Sequence, residues 1–207
     1  MNFLQLVDFL IHVDKYVIFF VQQYGLWVYL ILFLIVAVET GIVIMPFLPG
    51  DSLIFIAGTF AAAGVLNIFL VFAVFALAAI VGDTMNYWIG EFLGNKIIMN
   101  RNLIKPEYLE RTKQFYEKHG GKTIILARFV PIIRTFAPFV AGIGKMNYIK
   151  FLSYNVIGAI LWVAVFSAAG YFLGGFAIVK NNLTLFAIGI VILSIMPAVI
   201  EFIRHRK

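Results

Sequence analysis

Ile68-Phe-Leu-Val-Phe-Ala-Val-Phe-Ala-Leu-Ala-Ala-Ile-Val-Gly82-Asp83-Thr-Met-Asn86-Tyr87-Trp88 is the stretch that decides the fold. About 20 predominantly apolar residues in a helix cross the roughly 30 Å of hydrocarbon in a bilayer. This run reaches that length, and its first charge is Asp83. Comparable runs lie at 26–45, 151–172 and 183–200. The chain has 207 residues, 63% hydrophobic and 13% charged, whereas a soluble domain carries about 25% charged residues. Together these features exclude a water-soluble globule and predict an all-α, polytopic transmembrane protein forming a single membrane domain over 1–207.

Outward from the first span, the regularity fails in two places. Glu39-Thr-Gly-Ile-Val-Ile-Met-Pro46-Phe-Leu-Pro49-Gly50-Asp51 interrupts one apolar stretch, and Arg128-Phe-Val-Pro131-Ile-Ile-Arg134-Thr-Phe-Ala-Pro138 interrupts another. Proline has no N–H to give a helix, and unpaired backbone at membrane depth survives only where protein or a water-filled cavity covers it. Both segments therefore read as broken or re-entrant helical hairpins. The apolar stretch 53–65, at about 13 residues, is too short to span.

The expected organisation is an amphipathic helix over 1–25, a first half over 26–90, a hydrophilic amphipathic loop over 95–122, a second half over 123–175 and a C-terminal span over 183–203. The N-terminal helix either lies in the interface or crosses with its polar stripe against protein. It lacks the basic stretch and cleavage site of a secretory signal, so it is expected to be retained. Pro106 marks a helix start and Gly120-Gly121 its stop. Spans 151–172 and 183–200 read as clean. Gly90 and Gly94 allow close approach of another helix, which leaves open a homo-oligomer formed through such faces.

The net charge of +6 comes from Lys and Arg placed beside the apolar spans. That pattern is a topology signal and not a nucleic-acid footprint. It predicts a cytoplasmic C-terminus and a cytoplasmic 95–122 loop. From that orientation the second broken segment enters from the cytoplasm and the first from outside, a broken helix from each face in each half, which points to an inverted-repeat transporter. The absence of cysteine excludes disulfides, thiolate catalysis and Cys-ligated metal, and no metal or cofactor is expected.

Glu39, Asp51, Asp83, Arg128 and Arg134 are the ionisable residues expected within the hydrocarbon, and each needs a partner there. The natural pairing sets Glu39 and Asp51 of the first segment against Arg128 and Arg134 of the second. A guanidinium offers a planar fork suited to phosphate, so the two arginines are the candidate ligands for an anionic head group. Six residues apart, they would face opposite ways on an unbroken helix; Pro131 between them can redirect the second turn. Glu39 and Asp51 can take up a proton once desolvated, which suits gradient coupling. Pro46, Pro49, Gly50, Asp83, Tyr87, Pro131 and Pro138 are supporting candidates, Asp83 equally suited to a helix-end or packing role.

The order of these motifs, Glu39-Thr-Gly, Pro46-Phe-Leu-Pro49-Gly50-Asp51, Gly82-Asp83 with Tyr87 and Gly90, then Arg128-Phe-Val-Pro131-Ile-Ile-Arg134 with Pro138 and Ala141-Gly142, resembles the DedA family over roughly residues 26–175. That family belongs to the SNARE-associated or VTT group of membrane proteins. The resemblance implies a bacterial inner-membrane protein that moves lipids, notably undecaprenyl phosphate, at the expense of a proton or sodium gradient. It also implies that the family's acidic pair corresponds to Glu39 and Asp51 and its essential arginines to Arg128 and Arg134. A flippase for a polyprenyl or related lipid phosphate, and no enzyme, is the expectation. A membrane lipid-phosphate-processing enzyme and a non-transporting scaffold are the alternatives.

Overall fold

A computed structural model describes residues 23–42, 50–99 and 106–176, and all regular structure among them is helical. The expected N-terminal helix, the C-terminal span, Pro46 and Pro49 lie outside the described residues. The helices are α1 (Trp27–Gly41), α2 (Gly50–Ala62), α3 (Ile68–Met99), α4 (Pro106–His119), α5 (Thr123–Ala127), α6 (Pro131–Ile143) and α7 (Tyr148–Gly174), with a 3₁₀ turn at Gly120–Lys122 between α4 and α5.

Local chemistry explains the boundaries. The Asn67 side-chain oxygen accepts from the backbone N–H of Phe69 and Leu70 at 2.9 and 3.2 Å, capping α3. Asn147 does the same for α7 through the Lys150 N–H at 3.1 Å. The start of α4 at Pro106 and its stop at Gly120, which takes φ +58°, are those read from the sequence.

The expected break in the second half is also present. After α5 the chain turns through Arg128 and Phe129 to Val130, which is extended at φ −121° and ψ 104°, and Pro131 then opens α6. A proline disfavours the helical region for the residue before it, so Val130 cannot continue α5.

Two helices are long and apolar enough to cross a membrane, over Ile68–Phe92 and Tyr148–Gly174, and only 39% and 33% of their apolar windows are buried. A core helix of a soluble protein would be mostly covered. Here Phe69, Leu77, Val81 and Met85 on α3, and Ile157, Leu161, Val165 and Phe172 on α7, are exposed. Uncovered apolar surface of this extent calls for lipid as its solvent.

The described residues form two compact units, one of 23–32, 50–74 and 164–176, the other of 33–42, 75–99 and 106–163. The same packing device recurs within each. In the second unit, Gly90 of α3 lies against the Phe139 carbonyl of α6, and Gly142 of α6 against the Tyr87 carbonyl. In the first, Gly170 of α7 lies against the Phe55 carbonyl of α2, and Gly58 of α2 against the Ser167 carbonyl. Both short helices carry Phe-x-Ala-Gly, Phe55-Ile-Ala-Gly58 and Phe139-Val-Ala-Gly142, and both long helices place a glycine three residues on. The missing side chains let backbone meet backbone.

Candidate functional site

The broken segment delivers its two arginines into the second unit. Arg128 follows α5 directly and is 2% exposed. Its Nη2 donates to the Asp83 carboxylate and to the Asn155 side-chain oxygen, each at 2.5 Å. Asn155 is itself anchored, since its amide donates to the Ile80 carbonyl at 3.1 Å. Gly158, one turn beyond Asn155 on α7, leaves room for the Arg128 stem: a Cβ there would stand 3.1 Å from its Cδ and Nε. The Arg128 Nε and Nη1 are buried and have no hydrogen-bond partner among the described residues.

Arg134 sits in the first turn of α6, with Nη2 3.8 Å from the Glu39 carboxylate at the end of α1. Its guanidinium carbon is 4.1 Å from the centre of the Trp162 ring, and that of Arg128 is 5.8 Å from the same ring. Both distances lie within cation–π reach. The kink at Val130 and Pro131 therefore brings together two side chains that a straight helix would point apart. Pro138, buried inside α6, has no N–H to offer the Arg134 carbonyl four residues earlier.

Two residues without charge hold the frame. Asn86, fully buried, donates from its amide to the Thr40 carbonyl at 3.2 Å and the Thr135 carbonyl at 2.9 Å, linking the end of α1 to α6 through α3. Tyr116 of α4 donates to the Ala137 carbonyl at 2.9 Å. Burial raises its phenol above the ordinary range, so it remains a neutral donor.

The expected charge pairing is met in kind and corrected in its partners. A carboxylate of the first segment, Glu39, does face a guanidinium of the second, but that guanidinium is Arg134, whereas the expected pairs set Glu39 with Arg128 and Asp51 with Arg134. Arg128, however, takes its carboxylate from Asp83 on the long span and not from the first broken segment. Gly50 opens α2 and Asp51 stands in its first turn, both in the other unit. Tyr87 stacks on Phe151 at 4.5 Å between ring centres and donates to the Met146 carbonyl, within an apolar cluster with Ile124, Ala137 and Ala141. Its place is in the packing that supports α6.

Sequence reasoning missed Asn155 and Trp162 and passed over Asn86 as a neighbour of Asp83. Asn155 carried a signal, since a polar side chain inside span 151–172 needs a partner. Trp162 carried none, being one apolar residue in an apolar run.

Two helices long and apolar enough to cross a membrane, a proline-broken helical segment and a buried cluster of opposed charges mark a VTT-domain membrane protein, and residues 48–172, more than half the chain, match that domain. The chain belongs to the DedA family. It is 55% identical to protein DedA of Escherichia coli K12 over 206 residues, covering 98% of this chain and 94% of that protein. An uncharacterised membrane protein of Mycobacterium leprae is 40% identical over 80% of this chain and 75% of its own length. Inner membrane protein YqjA of Escherichia coli K12 is 32% identical over 70% and 67%. No solved structure matches the chain.

Proposed function

We propose that this protein moves a lipid phosphate, undecaprenyl phosphate or a related polyprenyl or phospholipid phosphate, across a bacterial inner membrane, driven by a proton or sodium gradient. The observation that carries the reading is the pair of guanidiniums, Arg128 buried and Arg134 largely so, gathered against Trp162 in a chain whose long helices leave apolar faces uncovered. Arginine at membrane depth is costly, and as structural glue a buried ion pair is a weak return on that cost compared with apolar packing. A planar, permanently charged fork is suited to holding a phosphate group while the lipid tail stays in hydrocarbon.

In this reading the protein transports and does no chemistry on its cargo. Arg128 and Arg134 hold the phosphate, and Glu39 and Asp51 carry the coupling ion. The two broken segments enter from opposite faces in inverted-repeat fashion, with the C-terminus and the 95–122 loop cytoplasmic. Support for the repeat comes from the Phe-x-Ala-Gly device found in each unit, and support for the orientation from the placement of Lys and Arg.

The test is reconstitution of the purified protein in liposomes with defined lipid phosphates and imposed gradients. Transport should depend on the gradient and fall at least about tenfold in Arg128→Ala and Arg134→Ala proteins that still insert, a loss of roughly 1.4 kcal/mol or more in the transport step. Unchanged transport by both variants overturns the reading.

A further inference from the structure

The charged side chains described in the second unit's cluster cancel. Arg128 and Arg134 contribute two positive charges, Asp83 and Glu39 two negative ones. All four are largely removed from solvent, with side-chain exposures of 2% and 5% for Arg128 and Asp83 and 11% and 9% for Arg134 and Glu39. A neutral buried cluster has no surplus positive charge to offer an anion, and an added negative charge in a region of low dielectric needs compensation.

Nε and Nη1 of Arg128 are donors that an incoming phosphate oxygen can take without breaking an existing bond, since they have no hydrogen-bond partner among the described residues. Those atoms belong to the guanidinium whose Nη2 already holds Asp83 at 2.5 Å. The phosphate and the Asp83 carboxylate would then share one cation and repel each other directly. Glu39 stands on the other guanidinium, at the longer distance of 3.8 Å.

We propose that Asp83 is the site of proton uptake when the lipid phosphate binds: one proton adds to its carboxylate, Arg128 passes from Asp83 to the phosphate, and the cluster returns to zero net charge. The proposal rests on the lipid-phosphate reading above but moves the proton taken up on binding from Glu39 and Asp51, which carry the coupling ion there, to Asp83, with one proton for each negative charge admitted. Only an O–H bond forms, and the hydrogen bond from Nη2 to Asp83 is exchanged for one to phosphate.

The groups that face Asp83 are consistent with this role. Arg128 and Arg134 act on it from the broken segment, and Tyr116 from α4. Arginine stays charged and the Tyr116 phenol stays neutral, while Glu39 of α1 reaches the cluster through Arg134. Asp83 and Glu39 are thus the described groups able to change charge there. Asn155 keeps its oxygen on Arg128 Nη2 in either state, because the Ile80 carbonyl holds its amide.

The experiment is calorimetric titration of the full-length protein in detergent with a short-chain phosphodiester lipid, in two buffers of different ionisation heat, to count protons taken up per lipid bound. A diester is used because a monoester changes its own charge near about pH 6. Wild type should take up about one proton, and its affinity should fall by up to about tenfold per pH unit as pH rises. Asp83→Asn should bind with no uptake and no pH dependence, while Glu39→Gln should still take up about one proton.

Infrared difference spectra of wild type and Glu39→Gln provide a measurement that does not need the Asp83 variant to fold: a protonated carboxyl band should appear on binding in both. Binding without proton uptake in wild type, uptake that survives in Asp83→Asn, or uptake lost in Glu39→Gln overturns the inference and leaves the phosphate site standing. Absence of binding overturns both.

Discussion

The Arg134 guanidinium stands 4.1 Å from the centre of the Trp162 indole, and the ring is fully buried beneath it. A desolvated cation over an indole face gains on the order of 2 kcal/mol, and an exposed one less than half of that. Trp162→Phe keeps a ring face and should lower the stability of the detergent-purified protein modestly. Trp162→Leu removes both the face and much of the volume and should cost about 3 kcal/mol or more. Thermal unfolding followed by circular dichroism checks the order; equal losses from the two variants would remove the cation–π contact from the account.

Arg128 and Asp83 should behave as one energetic unit. Removing either partner leaves a buried charge without its match, at about 3–5 kcal/mol, so Arg128→Gln and Asp83→Asn should each unfold at much lower temperature or lower denaturant. The double variant replaces the ion pair with two neutral amides that can hydrogen-bond. It should recover most of the stability while transport stays absent. A coupling energy near zero in this double-mutant cycle would show that the pair is not the unit the geometry describes.

The glycine contacts make a paired prediction across the two units. A Cβ at position 142 would run into the Tyr87 carbonyl, and one at position 58 into the Ser167 carbonyl. Backbone cannot move aside as a flexible side chain does, so Gly142→Ala and Gly58→Ala should each destabilise by about 1–3 kcal/mol. Denaturant titration in mixed micelles measures both, and a neutral effect at either position argues against close packing there.

Asn86 carries no charge, yet it serves two buried carbonyls, on Thr40 and Thr135. Asn86→Leu leaves both without that donor, at a cost of about 1–3 kcal/mol. The end of α1 should loosen most. Hydrogen exchange should therefore speed up over residues 36–41 and 132–137, and exchange confined to one of those segments would mean that Asn86 does not link them.

Membrane character, the span at Ile68–Phe92 and the break at Pro131 were legible in the linear sequence because each depends on residues adjacent in the chain. An apolar side chain seeks lipid whatever its distant neighbours, and a proline lacks its N–H in any tertiary context. The start of α4 at Pro106 and its end at Gly120 were readable for the same reason. The need of Glu39, Arg128 and Arg134 for partners followed from the cost of charge in hydrocarbon, and the meeting of a first-segment carboxylate with a second-segment guanidinium from requiring opposite signs to meet; that Glu39 takes Arg134 and not Arg128 did not.

Choosing between carboxylates was beyond any local rule. Asp51, in the first turn of α2, and Asp83, inside α3, are both acidic residues in apolar surroundings, and Arg128 is 45 residues from Asp83 in the chain; only the crossing of α3 with the broken segment puts those two in contact. The crossing is set in turn by Gly90 and Gly142, which allow α3 and α6 to meet at the backbone. The sequence by itself determined that buried charges must be matched. Tertiary structure decided which ones, drawing in Asn155 and Trp162, because an ion pair depends on distance in space and α7 brings those two side chains to arginines far from them in sequence.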